Sequence, residues 1–136
     1  MKTFKLKSLK IKESVKDELF HHDIELMDGL IINREDEKNR WITEAYMDKR
    51  YYDLIHRLRE ERDELMIEVK ITKESNSPAT FISKIISIND IGEHINVLFM
   101  GTIIDQRIQN IEQMLRDLIN QGYHGEELLT QFKALI

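Results

Sequence analysis

Residues 80–101 read TFISKIISINDIGEHINVLFMG, and this stretch decides the fold. Two runs rich in β-branched and aromatic residues, 80–88 and 94–101, flank Asn89-Asp90-Ile91-Gly92. Asn, Asp and Gly tolerate the backbone angles of a tight turn, so the two runs predict a β-hairpin. Immediately afterwards the pattern changes. From residue 103 apolar residues recur at helical spacing, with Ile104, Ile108, Ile111, Leu115 and Leu118 separated by four, three, four and three positions. Gly101-Thr102 is therefore the expected boundary between a sheet domain, 1–101, and a helical segment, 102–136.

Working back from the hairpin, 65–72 (LMIEVKIT) predicts another strand, set off by the loop KESNSP that ends at the only proline, Pro78. Residues 41–47 (WITEAYM) predict a further one. Residues 24–33 (IELMDGLIIN) form a strand candidate that Asp28-Gly29 is expected to bend sharply or split into a hairpin. In the first segment Phe4 and Leu6 share one face, with Lys5 and Lys7 on the other. Leu9 and Ile11 then fall out of phase, and a bulge near Ser8 would restore a single buried face. About six or seven short antiparallel strands result, which is the signature of a barrel or a two-sheet sandwich. Between them, 49–61 predicts a short helix capped by Asp48, with Tyr51, Ile55 and Leu58 on one side. A strand is its rival, because Tyr52, Leu54 and Leu58 share a period of two.

The C-terminal segment predicts a two-helix hairpin. Thr102 is the expected cap of the first helix, with Asp105 three residues on, and Gly122 its stop. A second helix follows, carrying Leu128, Leu129, Phe132, Leu135 and Ile136. The short connection makes the pair antiparallel, packed on the sheet or extending from it. The fold class is thus mainly β with α.

Charge and composition bound the function. The 136 residues are 41% hydrophobic and 33% charged, a balance that supports one packed domain with an appended element. There is no cysteine, which rules out disulfides, thiolate metal sites and cysteine nucleophiles. Lysine interrupts the opening MKTFKLKSLKIK too often for a signal peptide, and nothing approaches the ~20 apolar residues of a membrane span. The expectation is a cytoplasmic protein with no membrane partner. A net charge of −5 argues against a nucleic-acid binder. Locally, however, 1–12 carries Lys2, Lys5, Lys7, Lys10 and Lys12 without an acid. Residues 17–28 carry Asp17, Glu18, Asp23, Glu25 and Asp28 without Lys or Arg. Either the two segments neutralise each other as neighbouring strands or are simply solvated, or the first is a basic strand kept for an acidic partner.

No catalytic, cofactor or metal residue is assigned. His21-His22-Asp23 has ligand chemistry, but adjacent strand histidines point to opposite faces. His56, His94 and His124 are scattered, the serines lack a companion motif, and the glycines form no phosphate loop. Trp41, Tyr46, Tyr51, Tyr52, Phe81 and Phe99 could stack on bases, but a core role requires no interleaved cations and is preferred. The expectation is a non-enzymatic protein that works by contact with a protein partner or with itself. The alternative is a single-stranded nucleic-acid or polyanion module using the Lys-rich first strand.

The stretches MKTFKLKSLKI, DGLIINREDEKNRWITEAYMD, ELMIEVKIT and ELLTQFK resemble the YwpF-like family of uncharacterised bacterial proteins. The resemblance runs from residue 1 to the C-terminus. It implies a β-barrel followed by a helix pair, the barrel being similar to the tube-forming proteins of type VI secretion systems. It supplies no catalytic residues.

Overall fold

The computed structural model describes residues 1–104 and 106–135, and of 106–110 the backbone alone. Two compact units meet the description, Met1–Ile103 and Ile104–Ile136.

The first unit is an antiparallel barrel. Its strands are β1 (Lys2–Val15), β2 (Glu18–Ile24), β3 (Leu26–Asn33), β4 (Arg40–Asp48), β5 (Leu65–Ile71), β6 (Ala79–Ile91) and β7 (His94–Ile103). Neighbours run β1-β3-β4-β7-β6-β5, and β5 returns to pair with β1, so six strands close on themselves. The seventh, β2, pairs among the described residues with the second half of β1 alone. Alternation fills the interior, as expected of a small barrel. Leu9 and Ile11 of β1, Ile67 and Val69 of β5, and Val97 and Phe99 of β7 are among its buried side chains.

Closure depends on β1 having partners on both edges. Lys2–Lys5 pair with β3 on one edge, while Leu6–Lys12 pair with β5 on the other. Between Leu6 and Ser8 the register with β5 slips by one, so Lys7 is the extra residue that swings Leu9 and Ile11 inward. The bulge expected near Ser8 is present.

A short helix closes one barrel end. Asp48 accepts a hydrogen bond from the Arg50 amide at the head of a 3₁₀ turn, Lys49–Tyr51, which leads into α1 (Tyr52–Glu61). Ile55 and Leu58 of α1 are fully buried in the barrel core, so this segment is the helix and not the rival strand. At the opposite end the Trp41 ring lies 6.5 Å from Phe4 and 5.3 Å from Phe81.

Three expectations need correction. Asp28-Gly29 neither splits nor ends the strand. β3 continues through it, and the irregularity is a register slip against β4 between Leu26 and Asp28. Gly29 is there for space, since a Cβ would lie 2.8 Å from Leu6 Cδ2 and 3.0 Å from the Glu44 carbonyl oxygen. The turn predicted at 89–92 is shorter. β6 runs through Ile91, and the two turn residues are Gly92 and Glu93. Gly92 has φ +63°, as the first position of a type II′ turn requires. Lastly, Thr102 caps no helix. It belongs to β7, paired with Arg40 and Ile82, and the barrel ends at Ile103.

In the second unit, α2 (Gln106–Asn120) and α3 (Gly125–Leu135) pack on each other. Gly122 stops α2 at φ +98°, with the Tyr123 amide bonded to Leu118 O and its own amide to Ile119 O, the paired bonds of a Schellman cap. Asp105, the side chain of Ile108, and Ile136 lie outside the described residues.

Gly101 makes a sharper test of the barrel than any core apolar residue. A Cβ there would overlap the Ile82 carbonyl oxygen and sit 2.6 Å from Ser83 Cα, both backbone atoms of the paired strand. Gly101→Ala should cost roughly 1–3 kcal/mol, read as a lowered urea midpoint at unchanged slope.

Candidate functional site

The odd positions of β1 point inward after the bulge, and that phase carries a charge. Leu9 and Ile11 are followed by Glu13, whose side chain is 3% exposed at the barrel end that α1 covers. A buried carboxylate must find donors, and Glu13 finds three residues. Arg57 of α1 donates through Nη1 to Oε2 at 2.9 Å and through Nη2 to Oε1 at 3.1 Å. Arg62, just past the helix, donates through Nε to Oε2 at 3.2 Å, and reaches the Ser14 carbonyl oxygen at 3.0 Å. His22 Nε2 lies 3.0 Å from Oε1. Glu61 holds the outer side of Arg57 at 3.1 Å.

The hydrogen bonds from Arg57 lead in holding the Glu13 carboxyl down at about 2, against the opposing pull of burial and with help from His22 and Arg62. Such a group stays ionised well below the ordinary carboxylate range. It is unsuited to exchanging protons with a substrate, and its geometry is that of a latch tying α1 to the β1–β2 hairpin. Glu13, Arg57 and Arg62 were not singled out from the sequence. The available signal was an acid in the inward phase of a strand.

The histidines behave as their spacing requires. His22 turns inward to Glu13 while His21 stays exposed on the opposite face. His94 sits against the Tyr46 ring at 5.1 Å, and His56 stacks on Tyr52 at 5.7 Å. No group of three or more metal-ligating side chains occurs among the described residues. Phe81 and Phe99 are fully buried, and Trp41 and Tyr51 pack against the core.

The lysines of β1 are interleaved with acids. Lys10 faces Asp23 across the β1–β2 ladder at 3.7 Å, the expected cross-strand pair. Lys12 lies opposite His21 in that register and pairs instead with Glu68 of β5 at 2.9 Å, holding that carboxyl below its ordinary range. Lys2 reaches Glu35 at 3.9 Å. The remaining two, Lys5 and Lys7, have no ion-pair partner among the described residues.

Surface hollows over Gly29, Tyr46 and Asn96, and over Ser83, Met100 and Gly101, hold about 230 and 260 Å³. Both fall below the ~300–1,000 Å³ usual for small-molecule sites. Exposed apolar side chains are more conspicuous. Leu19 and Phe20 are 56% and 46% exposed on β2, and Ile111, Ile119, Leu129 and Leu135 lie open on the helix pair.

The model of the YwpF-like protein family matches residues 2–135. "Uncharacterized protein YwpF" of Bacillus subtilis is 37% identical over 133 residues, covering 98% of each chain. A crystal structure of a hypothetical protein from Staphylococcus aureus superposes with a TM-score of 0.71 at 32% identity, over 98% of this chain and 91% of that one.

The latch makes a prediction with a definite sign. Glu13 has a folded-state value near 2 against an ordinary 4.5, so its stabilisation is complete above about pH 4.5 and is lost as pH falls through 2. Glu13→Gln should cost about 3 kcal/mol or less at pH 7. The gap between native and variant should shrink steadily below pH 4.5 in urea titrations. A gap that stays constant between pH 5 and 3 would show that the carboxylate charge is not what the arginines hold.

Proposed function

The chain belongs to the YwpF-like family, and we propose that it works as a non-enzymatic module of protein–protein contact in the cytoplasm, associating with further copies of itself through α2 and α3. One observation carries this reading. Leu118 alone is buried among the described side chains of the second unit, whereas Ile111, Ile119, Leu129 and Leu135 are 41–57% exposed.

Two helices of 15 and 11 residues are marginal on their own. They gain stability only by covering their apolar stripes, and pairs of helical hairpins do this by forming four-helix bundles. Charge permits the approach of a second copy. Gln106–Leu135 carries Arg107, Arg116 and Lys133 against Glu112, Asp117, Glu126 and Glu127, a net of −1. The small surface hollows and a Glu13 whose carboxyl is held well below the ordinary range support a non-enzymatic role. A cysteine-free chain fits a reducing compartment. No helix among the described residues is long and apolar enough to cross a membrane. A likeness of the barrel to secretion-tube proteins would fit the same reading, since tubes form by contact between copies.

Light scattering on the full chain should give a mass above 16.2 kDa per particle. The double variant Ile119→Asp/Leu129→Asp should return it to the monomer, with the barrel's thermal transition preserved. A native chain that is monomeric throughout would overturn the reading.

A further inference from the structure

We propose that the outer edge of β2, Glu18–Ile24, accepts a basic extended segment of a partner protein as an eighth, antiparallel strand. The site is distinct from the helix pair, and its test does not depend on that reading.

Among the described residues β2 has one neighbouring strand. It pairs with β1 from Glu18 to Ile24, and its other edge pairs with no described strand. An open edge presents a row of unpaired N–H and C=O groups, and proteins ordinarily guard it with charged side chains, lysine above all, with proline, a bulge or a covering element. β2 has no lysine, proline or bulge, and its charged side chains, Glu18 and Asp23, are both acidic. Its sequence, ELFHHDI, contains no Lys, Arg or Pro, and its register with β1 runs without a slip. It exposes Leu19 and Phe20 instead.

The rest of the barrel shows what guarding looks like. β6 also outruns its neighbour, since its pairing with β5 ends at Ser83. That stretch bears the exposed Lys84 and a register slip between Ile85 and Ser87. The Arg59 guanidinium of α1 comes to 3.5 Å from the Ile86 carbonyl oxygen. One edge is protected by three devices, and the other by none of them.

Charge selects the occupant. Residues 17–25 hold Asp17, Glu18, Asp23 and Glu25 without a Lys or Arg. Glu25 is taken by Arg50 at 2.8 Å. Asp23 leans toward Lys10 at 3.7 Å but remains 82% exposed, and Asp17 and Glu18 have no ion-pair partner among the described residues. A second copy of β2 fits poorly. In antiparallel self-pairing one register sets Glu18 against Asp23, the next sets Asp23 against Leu19, and the register that sets Glu18 against His22 and Phe20 against Phe20 brings Asp17 up to Asp23. Like charges directly opposite are unfavourable. A complementary strand places a cation opposite Glu18, apolar residues opposite Leu19 and Phe20, and a second cation opposite Asp23. Read in its own direction, that strand is Lys-x-x-Val-Val-Lys. Main-chain bonds to the edge would provide affinity, and the alternating side chains selectivity.

The test uses the ¹⁵N-labelled full chain and a capped peptide centred on Lys-Thr-Thr-Val-Val-Lys. Amide shifts should concentrate in Glu18–Ile24. Binding should weaken about tenfold or more in Glu18→Lys/Asp23→Asn, and should be lost when alternate peptide amides are N-methylated. The proposal is overturned by shifts centred elsewhere, by equal binding of the N-methylated peptide, or by no shift at about 1 mM peptide. It is equally overturned if β2 shifts with protein concentration alone, because the occupant is then a second copy.

Discussion

The barrel exists because one strand is paired on both edges. β1 meets β3 through its first residues and β5 through its middle, and without the second pairing the sheet would be open, with two long edges and a half-covered core. A strand that turns from one partner to another must redirect its side chains. The extra residue Lys7 does this at the cost of one irregular step in the ladder. Everything inside the barrel inherits that step. It places Leu9 and Ile11 in the core, and it places Glu13 in the same inward row, where only hydrogen-bonded charge is tolerable.

The latch is therefore a consequence of closure. β1 continues beyond its last pair with β5, at Lys12, to reach the turn into β2. Its inward row there no longer faces a filled barrel. It faces the end of α1, whose Ile55 and Leu58 are already committed to the core. Arg57 lies between those two in sequence and projects to the strand. Arg62 follows where the chain leaves the helix. The bidentate contact from Arg57 fixes orientation as well as charge. Lysine in its place would supply the charge without the fork.

Much of this was legible in the sequence, and what was not has physical reasons. The strands of 65–72, 80–88 and 94–101, and the helix after Asp48, were visible because each depends on a local period or cap. The bulge was visible because a phase slip is itself a pattern. Gly29 was misread as a breaker. Glycine in a turn and glycine under a close neighbour look alike in sequence, and only the packing of Leu6 against β3 distinguishes them. Thr102 was misread as a cap because cap preference is weak beside a strand still pairing with two neighbours. The Glu13 cluster joins residues more than 40 positions apart. No single-chain pattern encodes that proximity; the one available signal, an acid in the inward phase of β1, went unread.

The contrast between the two overrunning strands bears on function more directly than any motif. Stability alone gives no reason to guard the edge of β6 with a bulge, a lysine and an arginine, and to give β2 only acids beside the exposed Leu19 and Phe20. Both edges face the same hazard of unwanted pairing, and the chain has ample lysine nearby in β1. An edge that is acidic and apolar is selective in a way that a neutral one is not, because like charge disfavours an acidic strand and opposite charge favours a cationic one. The exposed side chains of the helix pair have the opposite character, nearly neutral in net charge and apolar. Two surfaces of such different chemistry, on separate elements, call for different occupants: the proposed copy of the chain on the helices, and the proposed cationic strand on β2.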